Sequence, residues 1–181
     1  MVIVGDTVQL ADSDAWIDLG AIAKGYIGDR LVEFLVGRGV AGALIDLGGD
    51  VVTFGSRQDG SPWRIGVREP VAGSSELIGV LEVSEASVIS SGVYERQLVV
   101  DGVSYHHILD PFTGMPACSD VVSATVVADS AVLGEGLSTI AVLFGSELAA
   151  GLFERTNGFI GAVLVLENGD VLEFGDVRLI R

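Results

Sequence analysis

Glycine sets the grain of this sequence: it supplies 25 of 181 residues and clusters at the edges of apolar segments, as at Gly20, Gly25, Gly48, Gly49, Gly92 and Gly114. Glycine at an element boundary permits tight turns and lets backbone approach backbone or a ligand closely. A chain punctuated this way reads as a turn-rich assembly of short strands and helices.

The apolar periodicity between the glycines supplies the elements. Residues 1–17 alternate weakly through Val2, Val4, Val8 and Leu10 and read as a short hairpin. From Gly25 the positions Ile27, Leu31, Phe34 and Leu35 follow helical spacing, with Gly39 as the stop. Residues 42–52 read as a buried strand interrupted by Gly48 and Gly49, and Asp59-Gly60 as a hairpin signal before a strand over 63–67 that Pro70 ends. Further strands are predicted over 77–83, 87–90, 97–100 and 103–109, the last two joined by Asp101-Gly102, and a turn over 110–114. A strand over 121–128 precedes an apolar helix over 131–144 and a second helix over 147–156. The chain closes on a hairpin whose Asn168-Gly169 pair is a type I′ signal. Hairpins interleaved with separate helices give an α+β class, a mixed or antiparallel sheet with packed helices, expected as a single domain over 1–181.

Charge narrows the partners. Twenty-five acidic residues against ten basic ones leave a net charge of −15. Nucleic acids and anionic membranes are polyanions that recruit Lys and Arg, so neither is an expected partner. The single cysteine, Cys118, cannot close an internal disulfide. No basic segment followed by an apolar run opens the chain, and its longest apolar stretch, 137–143, is far shorter than the roughly 20 residues of a membrane span.

Four segments carry candidate chemistry. In the run from Asp18 to Tyr26, glycines lead into a helix start, where exposed backbone N–H groups suit a phosphate. Lys24 adds a charge for a diphosphate and Asp18 an acceptor for a sugar or base; an ordinary strand-to-helix turn accounts for the same residues. The Ser90-Ser91-Gly92 run reads either as an anion-binding hydroxyl pair or as a common Ser/Gly turn. The chain's two histidines, His106 and His107, are adjacent on a predicted strand, so alternation sends them to opposite faces. One imidazole could take a proton from a hydroxyl nucleophile; a structural pair fits equally. Glu135 and Thr139, four apart, share a helical face and offer hard oxygens suited to Mg²⁺, as many Glu/Thr pairs do.

Taken in order, these segments resemble the FAD:protein FMN transferases, the ApbE-type flavin transferases. The carrying motifs are IDLGAIAKGY, LGGD, SPWRIGVREP, SSGVYER, HILDPFTGMP, SATVVADS and GEGLSTIAVLFG, running from about Asp18 to Gly145. The resemblance implies an ApbE-like fold and a Mg²⁺-dependent transfer of FMN from FAD to a Thr or Ser hydroxyl of an acceptor protein, with AMP released. It assigns Asp18 and Lys24 to FAD contacts, places Ile108 against the flavin nucleotide and makes His107 the base. It makes the Ala21 carbonyl, Glu135 and Thr139 the metal ligands, Glu135 standing where the family usually has aspartate. Water in place of the acceptor hydroxyl would make the same site an FAD pyrophosphatase. Family members are longer and commonly extracytoplasmic and membrane-associated. A missing N-terminal half or a second chain is therefore an expected partner, and a non-catalytic flavin-nucleotide module is the rival reading.

Overall fold

The computed structural model describes residues 1–101 and 103–181. Its strands are β1 (Val2–Val4), β2 (Thr7–Gln9), β3 (Ala43–Asp46), β4 (Val51–Phe54), β5 (Trp63–Arg68), β6 (Leu77–Val83), β7 (Ala86–Gly92), β8 (Gln97–Val100), β9 (Val103–His106), β10 (Val121–Ala128), β11 (Phe159–Leu166) and β12 (Val171–Gly175). The helices are α1 (Ala23–Gly37), α2 (Ala131–Phe144) and α3 (Ser146–Phe153). The architecture is α+β. A six-stranded sheet in the order β12-β11-β10-β7-β4-β3 is antiparallel at every pairing.

The central strand β10 shows how sequence makes this sheet. Its run of β-branched residues and alanines suits a strand buried on both faces, and alternation splits the side chains between two cores. Ala124, Val126 and Ala128, each 0% exposed, pack with Leu137 and Val142 of α2 and with Ala149 and Phe153 of α3. Val127 faces the other way, into a core built with Ile65 and Val67 of β5 and Leu81 and Val83 of β6. The result is three layers: helices, sheet, and the β5–β6 hairpin.

Several local expectations change. The strand expected over 42–52 is two antiparallel strands, β3 and β4, because Gly48 and Gly49 adopt φ of 78° and 99° and reverse the chain. Asp59-Gly60 closes no hairpin: β4 pairs with β3 and β7, β5 with β6. The closing hairpin is present, but among the described residues Asp101 is the one non-glycine at positive φ. Asn168 therefore cannot complete a type I′ turn. The Gly169 N–H instead bonds the Leu166 carbonyl at 2.9 Å, with Gly169 at φ 88°, as in a type I turn followed by a left-handed glycine. The strand expected over 103–109 stops at His106. Gly102, in the turn expected at 101–102, lies outside the described residues.

Helix α1 packs in an unexpected direction. Its apolar residues Ile27, Leu31 and Phe34 are exposed, and its buried positions are Gly25 and Gly28. A Cβ at Gly25 would lie 2.6 Å from the Ala131 backbone, and one at Gly28 2.7 Å from Val52. Two glycines thus bring α1 onto α2 and β4 closer than any side chain would allow. The first turn of α2 is fixed at the same contact, where Asp29 accepts from the Ala131 and Val132 N–H groups at 2.7 and 3.2 Å.

Candidate active site

The loop ahead of α1 is a chain of local turns. Asp18 folds back to accept from its own Gly20 N–H at 2.6 Å, and the Ile22 and Ala23 N–H groups bond the Leu19 carbonyl at 3.0 and 2.8 Å. Ala21 sits exposed on this turn. The N-cap, Ile22, has no side chain able to accept, so the first turn of α1 presents backbone donors without a cap of its own. One of them is taken by a residue 110 positions away: the Gly25 N–H donates to Glu135 Oε1 at 3.0 Å. That bond exists because the glycine contact lets α1 lie against α2.

A charge cluster surrounds the bond. The Lys24 ammonium pairs with Asp50, whose side chain is almost wholly buried at the end of the β3–β4 turn, while Lys24 itself reaches solvent. Asp50 also lies 3.4 Å from the Ser90 N–H. Glu135 is 5% exposed. Burial first, then the Asp50 carboxylate, pushes the Glu135 carboxyl above its ordinary 4.5, and Lys24 and the Gly25 N–H pull it back. Two carboxylates facing one ammonium leave net negative charge that a cation would relieve.

One turn further along α2, the Thr139 hydroxyl lies 3.4 Å from Ser91 Oγ, which also meets Ser138 Oγ at 2.8 Å. Glu135, Thr139 and the Ala21 carbonyl are all hard oxygens, the donor type Mg²⁺ prefers. Among the described residues no group of three or more His, Cys, Asp or Glu side chains is gathered for a metal. A metal ion would therefore need a mixed set; of these oxygens, Glu135 and Thr139 stand one turn apart on α2, and Ala21 lies on the loop ahead of α1.

The two histidines divide cleanly. His106, the last residue of β9, places Nε2 3.0 Å from the Ala117 carbonyl, and among the described residues its buried Nδ1 has no partner. This ring ties the β8–β9 hairpin to the segment beyond the 110–114 turn. His107 follows the strand and is exposed. Surrounding protein still desolvates its ring enough to hold its pKa below the ordinary 6.5. A hydrogen bond to the Arg96 backbone opposes that shift, the Arg96 and His106 charges add to it, and Glu95 opposes it. The ring is therefore neutral near pH 7, the form a general base needs. Ile108 turns inward, 7% exposed, into the core shared with Leu137, while its carbonyl accepts from the Ala117 N–H at 2.9 Å.

Strand β7 links these groups. Its Ser90 N–H reaches Asp50, its Ser91 hydroxyl reaches Ser138 and Thr139, and the chain beyond it passes through Arg96, which stands opposite His107 beyond the Gln97–His106 pair. The Ser90-Ser91-Gly92 run is thus strand rather than turn. Sequence reading left Asp50 and Glu95 without roles. The available signal was the aspartate after Gly48-Gly49, since a charge between two apolar strands needs a partner.

Comparison with known proteins follows this geometry. The ApbE family model matches residues 2–164. A FAD:protein FMN transferase of Klebsiella pneumoniae is 40% identical over 164 residues, 90% of this chain and 49% of that protein. One from Treponema pallidum is 37% identical over 160 residues, 84% of this chain and 44% of that protein. The crystal structure of the ApbE protein from Thermotoga maritima superposes with a TM-score of 0.79 at 36% identity, covering 88% of this chain and 51% of that one. The flavin transferase ApbE from Vibrio cholerae superposes at 0.73 and 30% identity, covering 88% of this chain and 50% of that one. The chain spans about half the length of the relatives it matches.

Proposed function

The chain belongs to the ApbE family, and from that premise we propose that it carries the site that moves FMN from FAD to a Thr or Ser hydroxyl of an acceptor protein, releasing AMP. The observation that carries the reading is the cluster of Lys24, Asp50 and Glu135 at the start of α1, where a helix with no side-chain cap, an ammonium and hard oxygen donors converge.

In this reading the flavin diphosphate lies along the loop at 18–24. Lys24 binds it as a point charge, and Asp18 accepts from the sugar or base. The buried side chain of Ile108 leaves its backbone to meet the nucleotide. Ala21, Glu135 and Thr139 would hold Mg²⁺, which when bound neutralises charge on the diphosphate. His107 removes the proton from the acceptor hydroxyl. That oxygen bonds to the FMN phosphorus, the bond from this phosphorus to the bridging oxygen breaks, and AMP departs with that oxygen. Because the chain spans half of its relatives, the exposed apolar face of α1 is assigned to the remainder of that fold, on the same chain or another.

Incubating the protein with FAD, Mg²⁺ and an acceptor domain tests the proposal. A covalently fluorescent acceptor with one AMP per flavin supports it. FMN and AMP without labelled acceptor would make the site a pyrophosphatase. FAD binding with no AMP would make it a non-catalytic module.

A further inference from the structure

His107 sits at the foot of a weakly tethered arm. Among the described residues β8 and β9 pair only with each other, and Leu98, Val99 and Tyr105 are exposed. A lone two-stranded hairpin has marginal stability. One side of its base is anchored by His106 on the Ala117 carbonyl. On the other side, the turn at 94–96 enters the hairpin opposite His107, since Gln97 pairs with His106, and is itself gripped by an ion pair between Glu95 and Arg68.

Arg68 is built to reach that turn. It is the last residue of β5, and the pairing with β6 slips between Val67 and Arg68. Such an irregularity bends a strand and re-aims the side chain beside it. The guanidinium passes over the β3–β4 turn, 3.7 Å from where a Cβ on Gly49 would stand, one residue before Asp50. It also lines a cavity of about 270 Å³ with Ser90, Tyr94 and Thr125. One side chain from the β5–β6 layer thus spans from the Lys24–Asp50 turn to the segment that orients His107.

We propose that Arg68 is a positioning residue for the transfer: its ion pair with Glu95 fixes the 94–96 turn, which stands opposite His107 just beyond the Gln97–His106 pair, and so holds the His107 imidazole in one orientation and one tautomer. This rests on the reading of His107 as the base. The bond to Arg96 favours the protonated ring, as donation from a ring N–H to the Arg96 carbonyl does. In the neutral ring it therefore leaves the other nitrogen unprotonated to accept the hydroxyl proton. Both members of the Arg68–Glu95 pair are about half exposed, at 48% and 41%. Exposed pairs add little to global stability, so the role of this pair is geometric.

The test uses the full protein labelled with ¹⁵N-histidine, with His106 and His107 resonances identified by single substitution and spectra taken near pH 8. Wild-type His107 should show one dominant tautomer, and Arg68→Ala should show a mixture while His106 is unchanged and Tm falls by about 3 °C or less. Exchanging the charges, Arg68→Glu with Glu95→Arg, should restore the single tautomer. In the transfer assay Arg68→Ala should lower kcat by roughly 10–10²-fold, the scale of a small misplacement, with KM for FAD within about twofold. An unchanged His107 tautomer in Arg68→Ala, or no rescue by the exchange, overturns the proposal. The tautomer is read without turnover. If it responds as expected while His107→Ala transfers FMN normally, the assignment of His107 as base fails and the link from Arg68 to the ring stands.

Discussion

Two regions share the proposed chemistry and are built on opposite principles. Asp50 and Glu135 are 3% and 5% exposed, locked between α1, α2 and the sheet by close contacts at Gly25 and Gly28. His107 is exposed at the foot of a hairpin held by a few hydrogen bonds and ion pairs. In the buried region, packing sets the distances between charges. At the hairpin, directional polar contacts do, and stability is largely uncoupled from them. Under the proposed transfer, binding is thus rigid while the group that would meet the acceptor protein stays accessible.

The sharpest break between the two regions is expected at the histidines. His107→Ala should lower FMN transfer by roughly 10²–10⁴-fold, the usual contribution of a general base, with FAD affinity nearly unchanged. His106→Ala should leave the rate within a few-fold, its loss falling on hairpin order. Parallel turnover and equilibrium FAD titrations measure both, and equal losses at the two positions would erase the division.

In the buried region the order of effects should reverse, stability changing before rate. Lys24→Met strands the Asp50 carboxylate in the core with little beyond the Ser90 N–H, at a cost of about 3 kcal/mol. Asp50→Asn frees an ammonium that already reaches solvent and should cost less than half as much. Urea denaturation of the two variants decides the matter, and equal costs would mean that Asp50 is better solvated than its burial implies.

The glycine contact offers a matched pair. Gly25→Ala pushes a methyl into the Ala131 backbone and should destabilise by about 1–3 kcal/mol while weakening FAD binding. Gly136→Ala meets nothing within 4 Å and should stabilise α2 by roughly 0.5–1 kcal/mol. Thermal melts of both test whether close approach, rather than helix propensity, governs α1.

The smallest effect concerns pH. With the His107 pKa held below 6.5 by desolvation, the proposed base is active in its unprotonated form. The acid limb of kcat/KM should therefore fall below pH 6.5, with a plateau above it. A limb above 6.5 would show that the charge of Glu95 outweighs desolvation in the working protein.

Much of this fold was legible because its cues are local. Five of the eight residues of β10 are β-branched. Helix α2 follows the Ser130 cap, which accepts from the Leu133 N–H at 3.3 Å, and Asp101 faces its turn at positive φ. The site was legible only as an ordered series of motifs, since no single one distinguishes a ligand loop from a turn. The helix expected from Gly25 is present as α1, but what its apolar face meets was not legible, for a physical reason. Helical spacing of Ile27, Leu31 and Phe34 says that these residues share a face, not what that face meets. Gly25 and Gly28 offered a competing face that only the position of α2 could select.

By itself, then, the sequence determined the α+β class, the main hairpins, the helix over 131–144 and the family to which the motifs belong, because periodicity, caps and turn residues act over a few positions. The tertiary structure alone decided that Lys24 meets Asp50 across 26 residues and that the Gly25 N–H meets Glu135 across 110. It also decided that His106 is spent on the Ala117 carbonyl while the His107 ring stays exposed. Those outcomes depend on where sheet pairing and helix packing bring distant segments together, and no local pattern encodes such a meeting.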